Sequence, residues 1–370
     1  MTALSANVDW GAPGRVDRYE GVLVDPFTLT ETGTVELDPG SSLSWSYNTE
    51  NQLQGSLQLL EGDYRMGGYD QMIRVKHTVT IGQSSYTYTM GTLFVSNLST
   101  RDIFTMRQRS LDCYGPLWRF TQDVLAQDFV RHKGDNVVQC IKDIIQYDGG
   151  KLTVGMGVDQ SRVHTIDILF PVGENRAEVL RTYAGWINCE IMGGIDGDIV
   201  LRPYVSPQQQ DPSFTFVNGK NCIYKAGVDW STNRDEPTNR VVAYFSRESK
   251  QDDDQFPLSD SVYVDLPEAQ DYSYEKSGRR RTQVLQVTEP CSHADLQAQA
   301  ERYLYSCAAS YLDITIEHAG VPGLMVGDCV EYQNGIDYRD NVMVQKCIVM
   351  EMSVSSLSPM CMTQTKLRII

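Results

Sequence analysis

The sequence lacks the paired cysteines that mark a disulfide-rich or zinc-binding protein. It contains nine cysteines, an odd number, and no two of them form a C-x-x-C pair. Widely spaced, unpaired cysteines indicate neither a disulfide framework nor a zinc cluster. Cys347 stands beside Ile348 and Val349, in an apolar run where cysteine acts as a small hydrophobic residue. We therefore expect reduced thiols and cytoplasmic synthesis.

The sequence also lacks a secretion signal and a membrane span. Its first ten residues have neither the basic region nor the apolar region of a signal peptide. No later stretch approaches the length of apolar sequence that crosses a bilayer. We expect neither secretion by that route nor stable insertion into a membrane.

Positive charge is scarce. Thirty-two Lys and Arg stand against 48 Asp and Glu, which gives a net charge of −16. Because binding to a phosphate backbone depends on clustered Lys and Arg, we expect no specific nucleic-acid binding and no nucleic-acid partner. An acidic wall would suit a conduit through which DNA slides without sticking, although solubility alone accounts for the charge.

The common catalytic motifs are missing too. None of the five histidines lies in an H-E-x-x-H or H-x-E pattern, and neither a G-x-S-x-G elbow nor a P-loop is present. His77 falls on a strand face, which favours a packing role, and Ser84 and Ser85 fall in a hairpin turn. Gly155 and Gly157 lack the third glycine of a dinucleotide site and indicate a turn. We predict no catalytic, cofactor-binding or metal-binding residue, no cofactor and no enzyme activity.

Two charged runs allow more than one interpretation. Asp252, Asp253 and Asp254 offer oxygen ligands for calcium but lack the glycine and distal glutamate of an EF-hand loop, which favours a solvated loop. The triplet Arg279-Arg280-Arg281 suits a phosphate or an acidic neighbour, and we favour a surface or subunit contact. A glycosylation acceptor pattern at Asn97 is coincidental if the chain is not secreted.

What the sequence does contain, from residue 20 to residue 113, is the alternating pattern of β-strands. Leu43, Trp45 and Tyr47 alternate with serines, which places the large side chains on one face of a strand. A second alternating run spans 73–81, turns through 82–85 and returns through 86–90. This pattern predicts several short antiparallel strands, and we favour a small β-barrel over residues 1–116.

Helical spacing begins after residue 116. Asp135 is predicted to cap one helix and Asn175 another, with Glu178 completing a capping box. A hairpin follows, and 205–212 is the best candidate for a linker. Residues 117–212 are therefore predicted to form an α+β insert.

Strand patterns return over residues 213–370 and include one helix, predicted at 292–309 and opened by Ser292. A chain of 370 residues is longer than one hydrophobic core usually serves. The predicted fold class is β-rich α+β, with two small antiparallel β-barrel domains, at 1–116 and 213–370, and the α+β insert domain between them.

Several short segments, in this order, resemble the hub proteins of long-tailed phages and contractile injection machines. These are N-R-V-V-A-Y at 239–244, the helix predicted at 292–309, and P-G-L-M-V-G-D-C-V at 322–330. Upstream, G-T-L-F-V at 91–95 and D-C-Y-G at 112–115 are similar to the first barrel of that family. The resemblance spans nearly the whole chain.

The resemblance implies a baseplate or tail-tip hub that sits in the virion and is assembled in the host bacterial cytoplasm. It implies two tail-tube-like barrels per subunit and a homotrimer whose six barrels adapt a sixfold tail tube to a threefold tip. The ring would leave a channel for DNA passage. Implied partners are a distal tail or tail tube protein, the tape-measure C-terminus, and central spike or receptor-binding tip proteins.

Many relatives carry a wall-degrading extension, whereas this chain ends at Ile370 after its last predicted strands, so we do not expect a lysin role. The alternative is a carbohydrate-binding receptor-recognition module or a cell-wall glycoside hydrolase of a phage tail. Five Trp and 20 Tyr offer surfaces on which sugars stack, and 48 acidic residues leave a catalytic carboxylate pair open. Core packing in strands accounts for most of these aromatic residues.

Overall fold

A computed structural model describes residues 8–47, 49–61, 71–103, 106–217, 228–232, 238–246, 257–268, 273–287, 291–307, 312–336, 342–359 and 362–370. The first part of the chain consists of consecutive strands, as the alternating pattern predicts. They are β1 (Val16–Val24), β2 (Glu31–Leu37), β3 (Ser42–Ser46), β4 (Leu53–Glu61), β5 (Met72–Ile81), β6 (Ser84–Ile103) and β7 (Met106–Tyr114).

Six of these strands form a closed ring. The pairs run from β4 to β2, β1, β5, β6 and β7, and β7 pairs again with β4. Leu57, Ile73 and Leu93 are fully buried within the first core. Each of the six strands therefore pairs with a neighbour on both of its edges over part of its length. The turn between β5 and β6 is shorter than predicted, since only Gly82, at φ 61°, and Gln83 lie between them.

The middle of the chain is mixed, as predicted. Its elements are α1 (Trp118–Thr121), β8 (Phe129–Arg131), α2 (Val137–Tyr147), β9 (Leu152–Val154), β10 (Ile168–Phe170), α3 (Arg176–Trp186), β11 (Cys189–Gly193) and β12 (Ile199–Pro203). Strands β11, β12 and β9 form one small sheet and β10 pairs with β8. A second core, separate from the first, fills this region.

The helix caps confirm one prediction for the insert and correct another. The Asn175 side chain accepts hydrogen bonds from the amides of Ala177 and Glu178, as predicted. For α2 the cap is Asn136, whose side chain accepts from the amide of Gln139, and the prediction of Asp135 was wrong by one position. Asp135 instead accepts from the amide of His132 in the preceding turn.

Strands dominate the last part of the chain. Its elements are β13 (Phe214–Phe216), β14 (Asp229–Thr232), β15 (Arg240–Ser246), β16 (Ser259–Asp265), α4 (Tyr274–Ser277), β17 (Thr282–Gln286), α5 (His293–Cys307), β18 (Leu312–Ala319), β19 (Cys329–Ile336), β20 (Val342–Val354) and β21 (Met362–Ile369). The predicted helix is α5, and the Ser292 hydroxyl accepts from the amide of Asp295 as a cap.

These strands belong to two sheets. Strands β16, β15 and β17 form a sheet of their own, and α5 covers one face of it through a third core that includes Phe245, Leu296 and Ala300. Strands β14, β18, β21, β20, β19 and β13 join the sheet of the first region.

The β-rich class is confirmed, and the first and last β regions are joined in one sheet. Strand β20 pairs with β3 in the register Met352↔Trp45, so both β regions share one 13-stranded sheet. Strand β19 pairs with the start of β20 and β3 with its end, because a strand of 13 residues is long enough to take two partners on one edge. We call the pairing of 43–46 with 351–354 the seam.

Within the described residues, no helix has the length and apolar character needed to cross a membrane.

One buried histidine makes the fold sensitive to acid. His318 on β18 is fully buried, with Nδ1 2.8 Å from the Ala319 carbonyl oxygen and Nε2 2.8 Å from Thr365 Oγ1. These partners suit a neutral ring that donates from Nδ1 and accepts at Nε2. Burial lowers the pKa of His318 from 6.5 to about 4.

Lowering the pH from 7 to 4 is expected to cost about 3 kcal/mol of unfolding free energy through His318. The unfolded chain binds a proton at the ordinary pKa of 6.5, whereas folded His318 binds one only near 4, so stability falls as the pH drops between these values. The variant His318→Gln does not titrate, and its unfolding free energy from urea titrations at pH 7 and pH 4 should drop less. An equal drop in both proteins would contradict this assignment.

Candidate functional site

The histidine singled out in the sequence has structural partners. His77 is buried, its Nε2 lies 2.6 Å from Asp17 Oδ1, and its ring stacks on Tyr19 at 4.5 Å between centroids. Gly155 donates its amide to the Leu201 carbonyl at 2.7 Å, and its neighbourhood is a turn. Both positions therefore have contacts within the fold.

Of the two charged runs, the structure describes the arginine triplet. Arg279 and Arg280 are exposed, and the Arg280 guanidinium lies 4.5 Å from the centroid of the Tyr274 ring. The run from Asp252 to Asp254 lies outside the described residues. In the part of the chain that the structure describes, no three His, Cys, Asp or Glu side chains are grouped as metal ligands.

The segment 322–330, one of those that carry the family resemblance, forms a tight turn before β19. Gly327 has φ +84°, a conformation that favours glycine. The Asp328 carboxylate accepts from the amide of Met325 at 2.9 Å, which holds the turn closed, and burial raises the pKa of this carboxyl. Leu324 and Val326 are buried in the first core. The turn is therefore fixed to the large sheet by both its polar and its apolar side chains.

Two other parts of the chain pack against this turn. A Cβ atom on Gly327 would lie 2.8 Å from Tyr47 Cε2 and 3.0 Å from Arg202 Nη2. The Tyr47 hydroxyl donates to the Glu190 carboxylate, and Arg202 Nε donates to Glu190 Oε2 at 3.1 Å. Burial, followed by the nearby Glu190 charge, raises the pKa of Tyr47. We call Tyr47, Glu190, Arg202, Gly327 and Asp328 the junction.

The junction joins three regions of the fold. Tyr47 directly follows β3, Glu190 lies on β11 and Arg202 on β12, while Gly327 precedes β19. The side chains of Glu190 and Arg202 are only 14% and 19% exposed. A hydrogen-bonded ion pair with so little solvent around it holds its groups in a narrow range of geometries.

Further arginines link the same regions by donating to backbone carbonyls. Arg74 on β5 donates to the Asp196 carbonyl at 2.9 Å, between β11 and β12. Arg15 donates to the Gly320 carbonyl at 2.7 Å, and Arg302 on α5 donates to the Cys189 carbonyl at 2.8 Å. Because the planar guanidinium presents several fixed donors, each contact sets orientation as well as distance. The arrangement links the three regions to one another.

Comparison with known proteins gives structural matches only. No family profile matches the sequence, and no curated protein matches it. A tail protein from Neisseria meningitidis MC58 is 15% identical, with a TM-score of 0.59 over 95% of this chain and 96% of that one. The 43 kDa tail protein of prophage MuSo2 from Shewanella oneidensis is 12% identical, with a TM-score of 0.57 over 95% of this chain and 98% of that one.

A third match lies outside phages. The E. coli c3393 protein, a component of the type VI secretion system with structural similarity to the T4 bacteriophage tail proteins gp27 and gp5, is 9% identical. Its TM-score is 0.51 over 91% of this chain and 74% of that one. The likeness covers nearly all of this chain, so it includes the arrangement of the regions as well as each region.

Proposed function

We propose that this chain, which has the fold of phage tail proteins, is a structural subunit of a tail-tip or baseplate hub. The observation that carries the proposal is the seam, in which β3 and β20 join a closed ring of strands and a second β region in one sheet. Two β regions held rigidly in one subunit let a threefold ring present six of them. Such a ring adapts a sixfold tube to a threefold tip.

The proposed subunit has three domains, a first tube-like β-barrel at 1–116, an α+β insert at 117–212 and a second tube-like β-barrel at 213–370. Three subunits form a ring around a channel for DNA, in the tail tip of a virion assembled in the host cytoplasm. The ring contacts a distal tail or tail tube protein, the tape-measure C-terminus, and spike or receptor-binding tip proteins. The role is mechanical and involves no catalysis.

The junction supports this role because a hub must keep its two β regions at a fixed spacing. Tyr47, Glu190 and Arg202 bind the insert to the large sheet at the turn that contains Gly327. A rotation of the insert relative to the sheet would break the hydrogen bond between Tyr47 and Glu190 and expose the half-buried pair of Glu190 and Arg202.

Purified protein is expected to form a ring-shaped homotrimer, alone or when mixed with the tube protein that neighbours it. Ring interfaces between identical subunits gain stability from closure and from bound neighbours. Mass photometry should give the mass of three chains, and particle imaging should give a ring with a central opening. A monomer under both conditions would contradict the hub proposal, and degradation of peptidoglycan by that monomer would favour the glycoside hydrolase.

A further inference from the structure

The small sheet of β15, β16 and β17 has one covered face and one open face. Alternate residues of β15, among them Phe245, pack under α5 in the third core. On the opposite face, Val242 of β15 lies in register between Tyr263 on β16 and Val284 on β17. Tyr263 and Val284 are 65% and 60% exposed. The open face therefore carries an apolar row across all three strands.

Positive charge borders this row. Arg240 lies with its guanidinium 4.5 Å from the centroid of the Tyr263 ring and is paired with Asp265. The hydrogen bond from Arg240 lowers the pKa of Asp265, and Arg280 is close enough to add to this effect. Arg279 and Arg280, just before β17, are exposed and give the open face its positive charge. We call the following five residues the outer face: Val242, Tyr263, Arg279, Arg280 and Val284.

The ribbon of β8 and β10 in the insert offers a surface of the opposite charge. Val130 and Leu169 are opposed in register and are 46% and 60% exposed. Asp128 directly precedes β8 and Asp167 directly precedes β10, and both are exposed. Because the two strands are antiparallel, one carboxylate lies at each end of the aliphatic pair. We call these four residues the ribbon face.

Helix α5 separates the outer face from the insert of the same chain. Its apolar side packs on the small sheet, whereas its Arg302 donates to the Cys189 carbonyl of the insert at 2.8 Å. Asp295 on α5 also pairs with Arg162 of the insert at 3.3 Å. The insert therefore lies on the α5 side of the small sheet, and the outer face points away from it. A ribbon face that covers the outer face must belong to another copy of the chain.

We propose that the outer face of one subunit binds the ribbon face of the next, in a head-to-tail contact that closes the ring. The inference rests on the proposed hub function, since a contact between two different surfaces gives a ring only when the rotation between subunits closes. Each face contributes exposed apolar side chains, which the contact removes from water.

The charges decide which surfaces pair. The arginines of the outer face meet the aspartates that flank the aliphatic pair of the ribbon face, and opposite charges across an interface favour this pairing. Two outer faces, or two ribbon faces, would bring like charges together. Tyrosine and arginine, which the outer face supplies, are the residue types that often contribute most to binding at the centre of an interface.

Cross-linking of paired cysteines tests the contact. Leu169→Cys and Val284→Cys replace exposed side chains, so the double variant should fold like the wild type. In its rings, a short bis-maleimide should join neighbouring chains into dimers and trimers on a denaturing gel. The control Leu169→Cys/Gln297→Cys, whose second thiol lies on the exposed surface of α5, should give several-fold less product. Wild-type background is subtracted.

The outcomes of this experiment separate the contact from the ring. Equal cross-linking of Leu169→Cys/Val284→Cys and the control in intact rings would overturn the head-to-tail contact and leave the hub proposal standing. A chain that forms no ring, alone or with its neighbouring tube protein, overturns both.

Reversal of charge tests the polarity of the contact. Arg279→Glu/Arg280→Glu should raise the protein concentration needed for ring assembly several-fold at low salt, because it places carboxylates opposite Asp128 and Asp167. Adding Asp128→Lys/Asp167→Lys to the same chain should restore assembly. Mass photometry over a dilution series measures the fraction of rings, and urea unfolding checks that each variant is folded.

Lys142→Glu/Lys151→Glu is the matched control, since it makes the same change in net charge at two exposed positions outside both faces. It should leave ring assembly close to that of the wild type. An equal loss of rings in this control and in Arg279→Glu/Arg280→Glu would overturn the pairing of the two faces. Folded protein that the added lysines do not restore would also overturn it.

Discussion

Replacing Arg202 with methionine is expected to lower the unfolding free energy by about 3 kcal/mol, because it leaves a largely desolvated carboxylate without its cation. Glu190 is 14% exposed, and after the change only the Tyr47 hydroxyl hydrogen-bonds it among the contacts of the junction. Methionine keeps much of the length and apolar volume of arginine. The loss of unfolding free energy therefore measures the removal of the positive charge and not a loss of packing. Urea unfolding at pH 7 measures the difference.

Two comparisons isolate the ion pair. The double variant Arg202→Met/Glu190→Gln removes both charges and keeps an acceptor for Tyr47, so it should recover most of the lost stability. Arg107→Met breaks a solvent-exposed pair with Asp102, with side chains 39% and 68% exposed, and should lower the unfolding free energy much less than Arg202→Met does. A double variant as unstable as Arg202→Met would show that the charge of Glu190 is not the cause.

The local elements of the fold were largely predictable from the sequence. Alternation at Leu43 and Trp45 identified the face of β3 that is buried, and the caps at Asn175 and Ser292 were found from their side chains. These features depend on residues within a few positions of one another. The cap of α2 was predicted one position too early, at Asp135 instead of Asn136, because both kinds of side chain can accept from a free amide.

Contacts between distant segments were not predictable. Tyr47 and Glu190 are 143 positions apart, and Arg15 and Gly320 are 305 apart. An isolated Tyr, Glu or Arg in a strand pattern carries no sign of its partner. The glycine and aspartate of the turn at 322–330 were visible in the sequence, but the contacts at Gly327 required the packed structure.

Which strands belong to which sheet could not be predicted from the sequence either. The apolar run of β15 predicts a strand, of which Val241, Ala243 and Phe245 are buried in the structure, and such a run suits a barrel as well as a separate sheet. The apolar face of α5 packs on these residues and covers β15 and β16. A helix that covers a three-stranded sheet gives it a core of its own, so β15 pairs with β16 and β17 and stays out of the large sheet.

The turn at the junction depends on the absence of a side chain at Gly327. The variant Gly327→Ala is therefore expected to lower the unfolding free energy by about 3 kcal/mol. About 1 kcal/mol of this is the strain of φ +84° in a residue with a Cβ, and the rest is the contact at 2.8 Å with Tyr47 Cε2. Gly134→Ala is the matched control, since Gly134 has φ +94° and no atom within 4 Å of the added carbon. Urea unfolding of both variants separates the two costs.

Removing the Tyr47 ring tests whether that contact is the cause of the larger loss. In a Tyr47→Ala background, the cost of Gly327→Ala should fall toward that of Gly134→Ala, because the added carbon then meets only the end of the flexible Arg202 side chain. Strain in the backbone alone would give Gly327→Ala and Gly134→Ala equal costs in every background. A cost that depends on Tyr47 would mean that the sequence of the turn is constrained by the strand it packs against, more than 270 positions earlier. Gly327 would then be needed for the contact between the two β regions.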